Sequence, residues 1–182
     1  MATRILLVSG STRTASTNGA ALRTIHSMDG VDVKSELYGG LADLPAFNPD
    51  EDHEPLLLEV AELRSAIATA DAVLFCTPEY AGTLPGSFKN LLDWTVGGSE
   101  MGGKPVAWVN VAAPGRGGGA DATLRTVLGY VTADIVEAAC LKVSIGRADL
   151  DDDDAIVNPH ALGALKTVRG ALVSHVAANL GE

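Results

Sequence analysis

The sequence predicts an α/β domain built on one doubly wound parallel sheet. Strand-like apolar runs alternate with segments of helical period from one end of the chain to the other, the pattern of repeated strand–helix–strand units. The strand-like runs, Ile5-Leu6-Leu7-Val8 and Ala72 to Thr77 above all, are nearly continuous in apolar residues, as strands covered by helices on both faces must be. The length, 182 residues of which 47% are hydrophobic, suits one domain with a single core, and the whole chain, 1–182, is read as that domain.

The elements follow in order. Ile5 to Ser9 is the first strand, and the polar segment Gly10 to Thr17 leads into a helix from Asn18 to Met28 with Ala21, Leu22 and Ile25 inward. Val31 to Tyr38 partly alternates apolar and polar residues, as an edge strand does. Gly39 to Pro55 is a long loop rich in Pro, Asp and Asn. Leu56 to Ala70 has helical spacing, with Leu57, Val60, Leu63 and Ile67 inward and Glu62 and Arg64 toward solvent. Ala72 to Thr77 is the third strand. The helix Pro85 to Val96 carries Pro in its first turn, where a missing N–H costs little. Lys104 to Val111 is the fourth strand, Ala113 to Gly119 a glycine-rich loop, and Ala120 to Thr132 a helix. Val136 to Ile145 is the fifth strand, Asp149 to Asn158 an acidic loop, and Pro159 to Ala178 the closing helix.

Composition narrows the function classes. Aromatic residues are 4% of the chain, so the core is aliphatic, and the formal net charge is −10. That sign argues against a nucleic-acid footprint and against docking on anionic lipid, while leaving room for a local basic pocket. Cys76 and Cys140 sit far apart in apolar runs and read as reduced core thiols; without a CxxC pair they indicate neither zinc nor an iron–sulfur cluster. No stretch approaches the ~20 apolar residues of a membrane helix, and the Ile5–Val8 run is too short for a signal peptide, so the protein is expected in the cytoplasm, off the membrane. His26, His53, His160 and His175 share no metal-ligand spacing. Asp151 to Asp154 lacks the Gly and terminal Glu of a calcium loop and reads as a solvated turn. No metal is expected, and no GxSxG elbow marks a nucleophile.

Ligands of such sheets bind beyond the carboxyl ends of the strands, where strand order reverses. The loop after the first strand, Gly10 to Asn18, holds five hydroxyl residues, one Asn and Arg13 at a helix start. Unpaired N–H groups at a helix N-terminus face any anion there, so the loop fits a phosphate monoester. It also fits a plain polar turn capped by Ser16 or Thr17. It lacks the Lys of a P-loop and the spacing of GxGxxG. The loop after the third strand, Thr77 to Gly86, is stiffened by Pro78 and Pro85. Its backbone donors and acceptors suit the pyrimidine edge of a flavin ring.

These two loops resemble the signature of the NADPH-dependent FMN reductase family. Gly10, Ser11, Arg13, Ser16 and Asn18 match its Gly-Ser-x-Arg-x-x-Ser-x-Asn loop. Pro78, Glu79, Tyr80, Pro85, Gly86, Lys89, Asn90, Asp93 and Trp94 match its second motif, and Leu44 to Asn48 resembles its loop after strand two. The chain departs from the family at Phe88, where the family has Leu, and at Ala81, where it has Asn. The resemblance implies a flavodoxin-like three-layer sandwich with a five-stranded parallel sheet in the order 2-1-3-4-5. It implies an NAD(P)H-dependent FMN oxidoreductase that passes electrons by ping-pong hydride transfer to a small acceptor such as a quinone, azo compound, chromate or free flavin.

The FMN phosphate would meet Ser11, Arg13, Ser16, Thr17 and Asn18. The ring would rest against Pro78, Glu79, Tyr80, Ala81 and Gly82 and against Ala113, Pro114 and Gly115 of the glycine-rich loop. NADPH or NADH would be the donor, with no catalytic side chain, since the cofactor carries the chemistry. Glu79 is expected to be structural, and Arg116 to meet either an NADPH phosphate or a carboxylate across an interface. A homodimer or homotetramer is implied by the resemblance. Two other classes share the same loops: a flavodoxin-like electron carrier and a non-catalytic FMN-binding module.

Overall fold

A computed structural model describes residues 2–179; residue 1 and residues 180–182, the ends of the domain expected over 1–182, lie outside the described residues. The sheet grows from β1 (Thr3–Ser9), where Ile5, Leu6, Leu7 and Val8 are all buried. Successive side chains of a strand point to opposite faces. Ile5 and Leu7 therefore enter the core under α1 (Thr17–Ser27) and α5 (Pro159–Asn179). Leu6 and Val8 enter the core under α2 (Leu58–Thr69), α3 (Gly86–Asp93) and α4 (Gly118–Tyr130). One strand thus serves both helical layers, which is why its sequence is apolar without interruption.

β1 pairs in parallel with β2 (Val33–Tyr38) on one side and β3 (Ala72–Cys76) on the other. β3 pairs with β4 (Pro105–Asn110), and β4 with β5 (Asp134–Ile135). The order β2-β1-β3-β4-β5 is the one expected, with β2 at the edge. Ser9 lies opposite Cys76, so the loops after β1 and β3 leave the sheet side by side.

Four expectations are corrected. The fifth strand, expected over 136–145, is split into β5 and β6 (Leu141–Lys142) by a 3₁₀ turn at Glu137–Ala139; both pieces pair with β4, giving six strands. The Glu-Ala-Ala run has weak strand preference, and the turn drops Ala139 into the core while Glu137 reaches Arg125. The helix expected from Pro85 to Val96 is shorter, with Pro85 just outside its start and Trp94 at its end. Arg64, expected in solvent, is only 8% exposed. Its Nε and Nη2 donate to the Trp94 carbonyl at 2.9 and 2.8 Å, and Nη2 to Asp52 Oδ1 at 2.6 Å, the pairing a buried guanidinium requires. Leu57, expected inward, precedes α2 and is exposed. Both thiols are free, with Cys76 buried and Cys140 half-buried. Among the described residues no helix is long and apolar enough to cross a membrane.

Candidate functional site

The loop after β1 is shaped by its neighbours. Gly10 packs so closely on Thr77 that a Cβ at residue 10 would lie 2.1 Å from Thr77 Oγ1, which leaves glycine as the residue that fits. Ser16 resolves the choice of cap: its backbone is extended, and its Oγ accepts from Gly19 N at 3.0 Å. Capping uses the hydroxyl as an acceptor, so its O–H remains a donor. Among the described residues, the N–H groups of Thr17 and Asn18 in the first turn of α1 meet no acceptor, and the positive end of the helix dipole adds to their pull on an anion. Asn18 is buried, and its Oδ1 accepts from the Cys76 thiol at 3.3 Å. Burial pushes the Cys76 pKa up, so the thiol keeps the proton it donates and the Asn18 NH₂ is left for another partner.

The loop after β3 turns sharply. Tyr80 and Thr83 exchange backbone hydrogen bonds of 2.9 and 3.0 Å, and the two residues between them, Ala81 and Gly82, have φ of 50° and 79°. Positive φ at both central positions is the type I′ pattern, which Asn-Gly fills best. Ala81 takes the left-handed conformation with no amide to relieve it. Glu79 is held toward α4: its Oε2 accepts from Gly119 N at 2.6 Å and from Ala120 N at 3.2 Å. It caps the N-terminus of α4, the structural role expected of it. A Cβ at Gly119 would come 1.9 Å from the Gly82 carbonyl, so the turn and the start of α4 meet backbone to backbone.

Asn110, at the end of β4, organises the glycine-rich loop. Its Nδ2 donates to the Gly117 carbonyl at 3.1 Å and to Asp121 Oδ2 at 2.8 Å, and its Oδ1 accepts from Ala112 N at 3.0 Å. Sequence reasoning missed it; an Asn closing an apolar strand just before a Gly-rich segment was the available signal. On α3, Asn90 Nδ2 and Trp94 Nε1 both donate to the Pro45 carbonyl at 2.8 Å, and Phe47 N donates to Asn90 Oδ1 at 2.7 Å. These motif residues fasten the loop at 44–48 onto α3, while Lys89 pairs with Asp93 along the helix surface.

Two adjoining cavities lie at the carboxyl end of the sheet. One, of about 500 Å³, is lined by Ser11, Arg13, Ser16, Thr17 and Asn18 together with Pro78 and Tyr80. The other, of about 280 Å³, lies between Thr17, Asn18, Pro78, Glu79 and the loop after β4, including Arg116. Shared walls at Thr17, Asn18 and Pro78 make them one groove. The expected residues Ala81, Gly82, Ala113, Pro114 and Gly115 line neither cavity and are exposed. Arg147, Leu150 and Asp154, which no motif singled out, complete the wall of the first. The acidic run Asp151 to Asp153 is exposed, as expected of a solvated turn, and Asp154 at its end also faces the cavity.

A larger cavity of about 650 Å³ between β2 and α2 touches none of the expected residues and carries Glu36 and Glu62 without a cation. Its Tyr38 phenol is pushed up to about 12 by burial and by Glu62 and Asp43, an environment that disfavours negative charge. No group of three potential metal ligands gathers among the described residues.

The profile of the NADPH-dependent FMN reductase family matches residues 3–147. A 2-hydroxy-1,4-benzoquinone reductase from a Burkholderia species is 30% identical over 172 residues, 92% of each chain. An NADPH azoreductase from Bacillus sp. strain OY1-2 is 40% identical over 86 residues, so that match spans about half, 47%, of each chain. Among solved structures, FerB, a flavoenzyme NAD(P)H:(acceptor) oxidoreductase from Paracoccus denitrificans, aligns with a TM-score of 0.83 at 25% identity, over 97% of this chain and 98% of that one.

Proposed function

This chain belongs to the NADPH-dependent FMN reductase family and has its flavodoxin-like fold; from that premise we propose that it is an NAD(P)H-dependent oxidoreductase that holds FMN in the groove beyond β1, β3 and β4 and reduces a small acceptor. When bound, FMN would supply the two-electron chemistry that links NADPH or NADH to the acceptor in a ping-pong cycle.

The observation that carries the site reading is the donor set of the 500 Å³ cavity. Ser16 O–H, the Thr17 and Asn18 N–H groups, the Asn18 amide and Arg13 are all donors, and the loop from Gly10 to Asn18 contains no carboxylate. That is a fit for a phosphate dianion, which offers only acceptors at neutral pH. Pro78 and Tyr80 supply the apolar wall next to it, and the turn at Tyr80–Thr83 keeps its backbone in one conformation for the ring. On the far side the glycine-rich loop contributes Ala112, Arg116 and Gly117, which line the adjoining 280 Å³ cavity, rather than Ala113, Pro114 and Gly115. Glu79 takes no proton from substrate, because its carboxylate is committed to the start of α4.

A quinone or an azo compound is the acceptor favoured by the names of the relatives, with chromate and free flavin as further candidates. A homodimer or homotetramer is part of the same proposal; the exposed Val96 and Tyr130 around a shallow depression support an apolar contact there. So is residence in the cytoplasm, supported by two free thiols, and a single domain over 1–182, supported by α5 closing the core of the sheet.

The test is an anaerobic visible spectrum of the protein with FMN, followed by NADPH and then NADH. Flavin bands that shift on binding and bleach on donor addition are expected, and the faster donor sets the preference. Bands that shift without bleaching mean an electron carrier or a binding module. Bands that do not shift overturn the assignment of the groove.

A further inference from the structure

The 500 Å³ cavity has a second wall that belongs to no motif. It comes from the segment after β6, through Arg147, Leu150 and Asp154. That segment is a built turn. Leu150 and Ile156 form an antiparallel bridge. Asp151 Oδ1 accepts from Asp153 N at 3.0 Å and Ala155 N at 2.8 Å. Asp149 accepts from Gly146 N at 2.8 Å and from Asn158 Nδ2 at 2.5 Å. The turn therefore holds its shape without Arg147. At its tip Asp154 has φ of 58° and engages the Arg147 guanidinium in an ion pair.

That pair is open to water, with the side chains 64% and 36% exposed, and pairs so exposed are weakly held. The lining thus carries two arginines, Arg13 on one wall and Arg147 on the other, and one carboxylate that occupies the second arginine. A guanidinium binds phosphate through the same bidentate geometry it uses for a carboxylate, and a dianion draws it more strongly. In a chain of net charge −10, a phosphate is repelled at long range, so both local cations matter.

Resting on the FMN reading above, we propose that Arg147 is the second phosphate-binding arginine of the groove: it exchanges Asp154 for the flavin nucleotide's phosphate, and Asp154 is the internal competitor that sets the affinity. Arg147 thereby selects phosphorylated flavin over the same ring without phosphate.

The experiment is a fluorescence titration of FMN and of riboflavin against the wild type, Arg147→Gln and Asp154→Asn. Arg147→Gln is expected to weaken FMN about tenfold, the factor for loss of one charge-assisted hydrogen bond, and to leave riboflavin unchanged. Asp154→Asn is expected to tighten FMN about threefold, the size of a released surface ion pair, again without effect on riboflavin. A wild-type preference for FMN that survives Arg147→Gln overturns the role of Arg147 and leaves the groove assignment standing. Equal weakening of both ligands makes Arg147 a prop of the turn and overturns it too. Wild-type protein that binds FMN no better than riboflavin overturns the phosphate reading of the groove itself.

Discussion

Replacing Glu79 separates structure from chemistry at this site. The carboxylate accepts two backbone hydrogen bonds, 2.6 Å from Gly119 N and 3.2 Å from Ala120 N, at the N-terminus of α4. Glu79→Ala removes a charged cap: loss of a side-chain cap costs about 0.5–2 kcal/mol, and loss of a negative charge at the dipole's positive end about 0.3–1 kcal/mol. The sum is about 2 kcal/mol of stability. For a domain of 150–250 residues each kcal/mol moves Tm by about 2–4 °C, so Tm falls by about 4–8 °C. Glu79→Gln keeps an acceptor oxygen and loses the charge, so it falls by about half as much. Thermal unfolding followed by circular dichroism reads both, alongside kcat for NADPH oxidation at a temperature where all variants are folded. Substantial kcat in Glu79→Gln is expected. Unchanged Tm in Glu79→Ala, with kcat reduced by orders of magnitude in Glu79→Gln, refutes the cap and puts Glu79 at the chemistry.

Other outcomes follow from the same geometry. Ala81→Asn relieves a left-handed φ of 50° that costs a side-chain-bearing residue about 1–2 kcal/mol; Tm should rise by a few degrees, and a fall would mean the turn is not type I′. Arg13→Ala should weaken FMN by about 1.5–3 kcal/mol, the worth of a hydrogen bond to a charged group; unchanged affinity in an equilibrium titration removes Arg13 from the phosphate site. Asp149 is held below its ordinary value of 3.8 by the Gly146 N–H and then by the Asn158 amide, which both favour the charged form. Its hold on the turn is therefore complete above pH 3.8 and fades as pH falls through the lower folded value. The Gly146 amide NMR signal should move in that acid window, and Asp149→Asn should abolish the movement.

How much of this was legible beforehand depends on the range of the signal. The alternation of Ile5 and Leu7 with Leu6 and Val8 between two helical layers is a period-two pattern inside one strand. The apolar runs read correctly for the same reason. Ser16 as cap involves Gly19, three residues away. The loops after β1 and β3 stood out because each carries its own donors or rigid residues. Local patterning misled where chemistry and period disagreed. Arg64 sits at a polar position by type yet is buried, because the Trp94 carbonyl, 30 residues on, and Asp52 receive it. The run from Val136 to Ile145 looked like one strand because its apolar residues hide a turn.

By itself, then, the sequence determined the parallel sheet, the helices on both faces and the two loops proposed to meet the ligand, since these follow from periodicity, capping and turn chemistry within a few residues; the strand order came from the family resemblance. Only the tertiary structure decided what those loops do for one another. Glu79 accepts from the Gly119 N–H 40 residues later, the Cys76 thiol orients an Asn18 amide 58 residues earlier, and Arg147 lines the same cavity as the loop after β1. A hydrogen bond depends on position and direction in space, and residues so far apart in the chain acquire both only when the sheet lines up the ends of its strands.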